Sequence, residues 1–163
     1  MKKEVIRIKL DSGAKMPEYA HEDDACMDIF SNESLVLLPR HRAAVKTGVY
    51  MELPRGYVAL VKDKSGLAIK NGISTLGGVI DSGYRGEYLI ILVNLSSIPF
   101  KIERGMKIAQ VLIQKVERLD LETVDKLSDS DRGEARFGST GSGLKNKPIK
   151  HKSGLHDIKK AIN

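Results

Sequence analysis

A single cysteine, Cys26, is all the thiol chemistry that the 163-residue chain carries, so it can form no internal disulfide and no cysteine pair for zinc. The four histidines, His21, His41, His151 and His156, lack paired metal-ligand spacing and lie far in sequence from the glycine-rich segments, which leaves no Ser-His-Asp arrangement to argue. Neither GxGxxG nor GxxxxGK(S/T) occurs, so neither a Rossmann nor a P-loop nucleotide site is supported. No apolar run approaches the roughly 20 residues needed to span a bilayer, and membrane residence is not expected. Internal repeats and low-complexity tracts are also missing. The early alternation Val5-Ile6-Arg7-Ile8-Lys9-Leu10 reads as a strand and not as the apolar core of a signal peptide, and with the lone thiol it makes the cytoplasm the expected compartment.

What is present suits one soluble globular domain, with 41% hydrophobic and 29% charged residues. Strand-like runs recur at short intervals: Val5 to Leu10, Met27 to Phe30, Leu35 to Leu38, Ala43 to Met51, Tyr57 to Val61, Tyr88 to Leu95, Phe100 to Ile102 and Ala109 to Val116. Gly- and Pro-containing turns separate them, and the pattern predicts an all-β sandwich, jelly roll or barrel. The one helix expected in the body covers one or two turns around Ser65 to Lys70, with Ser65 as its cap. The formal charge of +6 is concentrated at the end: six lysines against Asp157 give residues 144–163 a charge of +5, leaving +1 for residues 1–143. That tail has no interleaved aromatics to stack bases. It reads as a solvated tail or partner contact, with nucleic acid held at most weakly through phosphates.

Two segments carry chemistry. In Gly77 to Glu87 an acid, Asp81, sits in a glycine-punctuated turn between apolar runs and reads as the bend of a β-hairpin with flanks Leu76 to Ile80 and Tyr88 to Leu95. A carboxylate there can take a proton from water, and Tyr84 beside it can press on a flat or puckered ligand. In Arg132 to Gly141, three glycines, two hydroxyls and two arginines surround Phe137, a composition that suits a mobile loop gripping phosphates.

Together with Ala25-Cys26-Met27-Asp28-Ile29, Lys64-Ser65-Gly66-Leu67-Ala68 and Arg104 to Gln110, these segments resemble, in order, spacing and chemistry over about 115 residues, the five motifs of the trimeric deoxyuridine triphosphate nucleotidohydrolases (dUTPases). The resemblance implies a distorted β jelly roll of the β-clip type and a homotrimer with shared active sites. It implies hydrolysis of dUTP to dUMP and pyrophosphate, with water attacking the α-phosphorus and Mg²⁺ on the triphosphate. By the same resemblance Asp81 is the general base, and Tyr84 packs beneath the deoxyribose against a 2′-hydroxyl. The backbone of Gly78, Val79 and Ile80 reads uracil, while Lys64, Ser65, Gly66 and Gln110 hold the phosphates. Asp28 acts on the metal through water, Phe137 closes over the base, and Arg132, Gly138, Ser139 and Thr140 complete the loop on the phosphates. The β domain then spans 1–143, with the mobile loop at 132–141 and a flexible basic tail at 144–163.

Three positions depart from the family pattern: Cys26 and Arg136 stand where glycine is usual, and Lys64 replaces an arginine, losing a bidentate fork. Two other functions compete. A deoxycytidine triphosphate deaminase shares the fold but needs a catalytic Glu where registering the patterns puts Ile91, which cannot shuttle protons. A non-catalytic binding or regulatory protein on the same scaffold would have no need of Asp81, Tyr84, Gln110 and Phe137 together.

Overall fold

The computed structural model describes residues 4–134. Along the chain lie β1 (Arg7–Leu10), β2 (Cys26–Phe30), β3 (Leu35–Leu37), β4 (Arg42–Val45), β5 (Val49–Glu52), β6 (Tyr57–Lys62), α1 (Ser65–Asn71), β7 (Ile73–Thr75), β8 (Val79–Asp81), β9 (Ile90–Asn94), β10 (Phe100–Ile102) and β11 (Lys107–Lys115). The architecture is all-β, as the short punctuated runs predict. Every pairing is antiparallel, in sheets ordered β1-β5, β10-β3, β2-β11-β6-β8 and β4-β9-β7. These elements belong to one compact unit, Met1–Asp120; a second unit, Leu121–Asn163, shows only bends and turns in its described part, where the Gly133 N–H donates to the Ser130 carbonyl at 3.0 Å. No helix among the described residues is long and apolar enough to cross a membrane.

Alternation decides which side chains fill the core. In β9 Ile90, Leu92 and Asn94 are buried while Ile91 faces outward, and Ile29, Val45, Val49, Met51, Ala59, Ile73, Ile102, Ile108 and Val111 join them in one apolar cluster. The buried Asn94 is fully employed, donating to the Leu37 and Ile98 carbonyls at 3.0 and 2.8 Å and accepting from Ser96.

The structure departs from the sequence reading at three places. The turn around Asp81 is not a simple hairpin. β7, a strand too short to stand out in the pattern, pairs with β9, Thr75 opposite Leu92, while β8 leaves for the edge of β6 in another sheet, Asp81 opposite Val58. Gly77 and Gly78 make the crossing, with φ of 67° and 91°, and a Cβ on Gly78 would meet the Val61 carbonyl oxygen at 3.1 Å. The run Ala43 to Met51 is broken into β4 and β5. At the break the Thr47 hydroxyl donates to the Tyr88 carbonyl at 2.8 Å, and Glu87 Oε1 accepts the Thr47 and Gly48 N–H groups at 3.0 and 2.8 Å, replacing ladder bonds by side-chain ones. Finally, Ser65 is not a cap but the first residue of α1; the extended Lys64 takes the N-cap position without a side-chain cap bond.

Candidate active site

Most expected residues of the main unit line or border two separate clefts; Ser65 and Gly66 line neither. The first, about 270 Å³, is lined by Ala20, Asp24, Ala25, Cys26, Asp28, Lys64 and Gln110. Strand register builds it: Gln110 on β11 stands opposite both Asp28 on β2 and Lys62 on β6, so Asp28 and Gln110 project from one face. Asp28 is only 7% exposed, and its carboxylate pairs with Lys64 Nζ through Oδ1 and with Lys107 Nζ at 2.8 Å through Oδ2. Burial would raise its pKa, but the hydrogen bonds and charges of Lys107 and Lys64 outweigh burial and hold it below the usual carboxylate value. The same partners keep the Lys107 ammonium charged, its pKa raised by the bonds to Asp28 and Glu18.

Asp63 supports this cleft from behind. Its Oδ1 accepts the N–H and hydroxyl of Thr75, both at 2.6 Å, its Oδ2 accepts the Ser74 hydroxyl at 2.8 Å, and its main-chain carbonyl accepts Gln110 Nε2 at 2.8 Å. Gln110 is thereby fixed with one of its two amide hydrogens still free to donate. Ser65 and Gly66 are exposed in the first turn of α1, which has no acidic residue and whose leading N–H groups lack intrahelical acceptors.

The second cleft, about 200 Å³, is lined by Val79, Ile80, Asp81, Tyr84, Glu87 and Leu89, with Gly78 immediately before it. Asp81 ends β8 exposed, and its carbonyl accepts the Tyr84 N–H at 3.1 Å to close the turn. Among the described residues no hydrogen bond or ion pair engages its carboxylate. Tyr84, 44% exposed, leans on buried Tyr88 with ring centroids 6.3 Å apart and anchors its hydroxyl on the Glu87 carbonyl at 3.1 Å, leaving part of the ring open. Gly86 permits this, since a Cβ there would collide with the Tyr84 hydroxyl. A third cleft, about 300 Å³ and bordered by Arg7, Lys9, Tyr50, Glu52 and Arg85, contains none of the expected residues.

The two clefts face different edges of one sheet. Asp28 on β2 and Asp81 on β8 are separated by two strands and by four residues of register, on the order of 20 Å at ordinary strand spacing and rise. Arg132 lies in an exposed turn of the second unit, and Arg136, Phe137, Gly138, Ser139, Thr140 and the tail 144–163 lie outside the described residues. Asp63, Glu87 and Lys107 were not expected from sequence, because each acts through a partner distant along the chain.

No group of three His, Cys, Asp or Glu side chains among the described residues could cage a metal. The first cleft instead offers two carboxylates, Asp24 and Asp28. Both Asp28 oxygens are engaged by Lys64 and Lys107, so the pair suits a hard cation held through its own waters and substrate oxygens rather than one ligated directly.

The dUTPase family model matches residues 12–141. A deoxyuridine 5'-triphosphate nucleotidohydrolase of Clostridium tetani is 47% identical over 139 residues, covering 83% of this chain and 96% of its own, and that of Clostridium acetobutylicum is 49% identical over 135 residues, covering 82% and 93%. Among solved structures, a mutant dUTPase of Staphylococcus bacteriophage 80alpha with dUpNHpp superposes with a TM-score of 0.79 at 33% identity, over 84% of this chain and 98% of that one. A mutant dUTPase from phage phi11 of S. aureus, described with a structural Mg(II) ion, gives 0.73 at 29% identity, over 77% and 99%.

Proposed function

The chain belongs to the dUTPase family, and from that premise we propose that it hydrolyses dUTP to dUMP and pyrophosphate with Asp81 as the general base. The observation that carries the reading is the exposed Asp81 carboxylate, unengaged among the described residues, on a turn beside the open face of Tyr84. Asp81 orients a water toward the α-phosphorus and takes its proton, while Tyr84 packs beneath the deoxyribose and leaves no room for a 2′-hydroxyl. The backbone of Gly78, Val79 and Ile80 offers fixed donors and acceptors to uracil. At the other cleft Lys64, Ser65, Gly66 and Gln110 hold the phosphates, and Asp28, with Asp24 nearby, would hold Mg²⁺ through water. When bound, that ion neutralises charge on the phosphate oxygens. Arg132, Phe137, Gly138, Ser139 and Thr140 would close over the nucleotide and exclude other water.

The separation of the clefts supports a shared site. Groups that act on one nucleotide must each reach its atoms, and the base must stand within hydrogen-bond reach of the water beside the α-phosphorus. A second copy of the chain can bring its Asp28 cleft to the first copy's Asp81, and a homotrimer of distorted jelly rolls is the assembly we propose. Residues 1–143 would hold the activity and residues 144–163 would be dispensable for it.

Incubation with dUTP, dCTP, dTTP and UTP in excess magnesium, with product analysis, tests the reading. Expected are dUMP and pyrophosphate from dUTP with the other nucleotides largely intact; absence of dUMP would refute it. Asp81→Asn should keep nucleotide binding and lose turnover by about 10²–10⁴-fold or more. A truncation ending at residue 143 should retain near-normal kcat/KM.

A further inference from the structure

Asp28 has two oxygens and two cations, and the two cations are held differently. Among the described residues Lys64 has Asp28 as its one side-chain partner. Lys107 is held on several sides: Asp28 Oδ2 at 2.8 Å, Glu18 Oε1 at 3.3 Å and the Phe30 ring at 5.7 Å from its centroid. Glu18 is itself tied to β2 by reciprocal backbone bonds with Asp28, at 2.8 and 3.2 Å.

A β-bulge creates this arrangement. Gln110 stands opposite Asp28 and Ala109 opposite Ile29, but the register then shifts so that Lys107 faces Phe30, with Ile108 and Ala109 both buried in succession. Without the extra residue Lys107 would stand opposite Ser31, on the other face of the sheet from Asp28. The bulge therefore delivers a second ammonium to a carboxylate that already has one.

We propose that Lys107 is a positioning residue for phosphate binding: as the permanent counter-ion of Asp28, it frees Lys64 to transfer from Asp28 to the phosphate oxygens of the nucleotide. The proposal rests on the reading of the Asp28 cleft as the phosphate end of the dUTP site. A carboxylate as buried as Asp28 is costly to leave without a cation. With Lys107 in place, the departure of Lys64 leaves Oδ2 paired and opens Oδ1 as an acceptor. Without Lys107, Lys64 becomes the sole partner of Asp28, and phosphate must compete with a buried carboxylate for it.

The test is a double-mutant cycle on the full chain, read as affinity in EDTA for a non-hydrolysable dUTP analogue and for dUMP. Lys107→Met should weaken the triphosphate analogue by about tenfold while changing dUMP affinity less than about twofold; in an Asp28→Asn background, where Lys64 abandons no charge, the same change should cost less than about twofold. Lys107→Arg should restore affinity to within about threefold. If Lys107→Met fails to give folded protein by thermal melt, Lys107→Gln carries the same cycle. Equal losses in both backgrounds would mean that Lys107 attracts phosphate directly, and no loss in either would mean that Lys64 moves without its help; each result overturns the proposal while leaving dUTP binding intact. Failure of the unsubstituted protein to bind the analogue, even with magnesium, would remove the functional reading and this inference with it.

Discussion

Tyr88 is fully buried, its hydroxyl has no hydrogen-bond partner among the described residues, and burial pushes its pKa up to about 12. The ring fills the core and backs Tyr84, so the hydroxyl adds desolvation cost without a compensating bond. Tyr88→Phe should therefore leave the thermal midpoint unchanged or raise stability by up to about 1 kcal/mol, with kcat/KM for dUTP retained. A clear loss of stability would reveal a partner for the hydroxyl. Lys64 presents the opposite case, a polar group held by one strong partner, Asp28, among the described residues. Its ammonium is a point charge where the family resemblance expects a planar fork, so Lys64→Arg should lower KM for dUTP by about 5- to 30-fold, or about 1–2 kcal/mol, with kcat little changed in steady-state assays.

Between elements the decisive contacts come from side chains that replace or redirect ladder bonds. Asp63 ties the β6–α1 turn to β7 by accepting from Thr75 and Ser74, and its carbonyl fixes Gln110. Burial would raise the Asp63 pKa, but those bonds and the charge of Lys62 hold it below the usual value. A pKa depressed in the folded state adds stability above the unfolded value, about 3.9, and that stability disappears as pH falls through the folded value. Unfolding midpoints measured from pH 7 to 3 should fall on the acid side below about pH 4, and Asp63→Asn should both flatten that fall and cost about 1–3 kcal/mol at pH 7. An acid limb unchanged by Asp63→Asn would assign it to other carboxylates. These bonds also mark the limit of sequence legibility. The runs around β2, β6, β10 and β11 were visible because alternation and turns are local signals. That β8 pairs with β6, and that a bulge puts Lys107 beside Asp28, depend on two positive-φ glycines and one extra residue, which periodicity does not register. The motifs offer Asp81, Tyr84 and Gln110 as candidates, and the structure places Asp81 and Tyr84 at one cleft and Gln110 at the other, whereas Asp63, Glu87 and Lys107 have no local signature.

At the scale of the whole molecule, the distance between the clefts turns into a statement about assembly. A separation on the order of 20 Å argues against one chain bringing Asp81 to a nucleotide gripped by its own Asp28, Lys64 and Gln110, and the proposed chemistry then calls for an interface that pairs unlike edges of two copies. Such a head-to-tail contact closes into a ring when its rotation permits, and three copies then make three equivalent sites. Subunit mixing separates this from a site within one chain. Asp81→Asn chains lack the base but keep the phosphate cleft, and Gln110→Ala chains keep the base but lose a phosphate donor. Each homomer should be severely impaired. When the two are denatured together and refolded at equal amounts, random assembly gives intact sites at about a quarter of positions, and activity should recover to about that fraction of the unsubstituted protein. Sites confined to single chains would show no recovery above the sum of the two variants, because every chain in the mixture carries a defect.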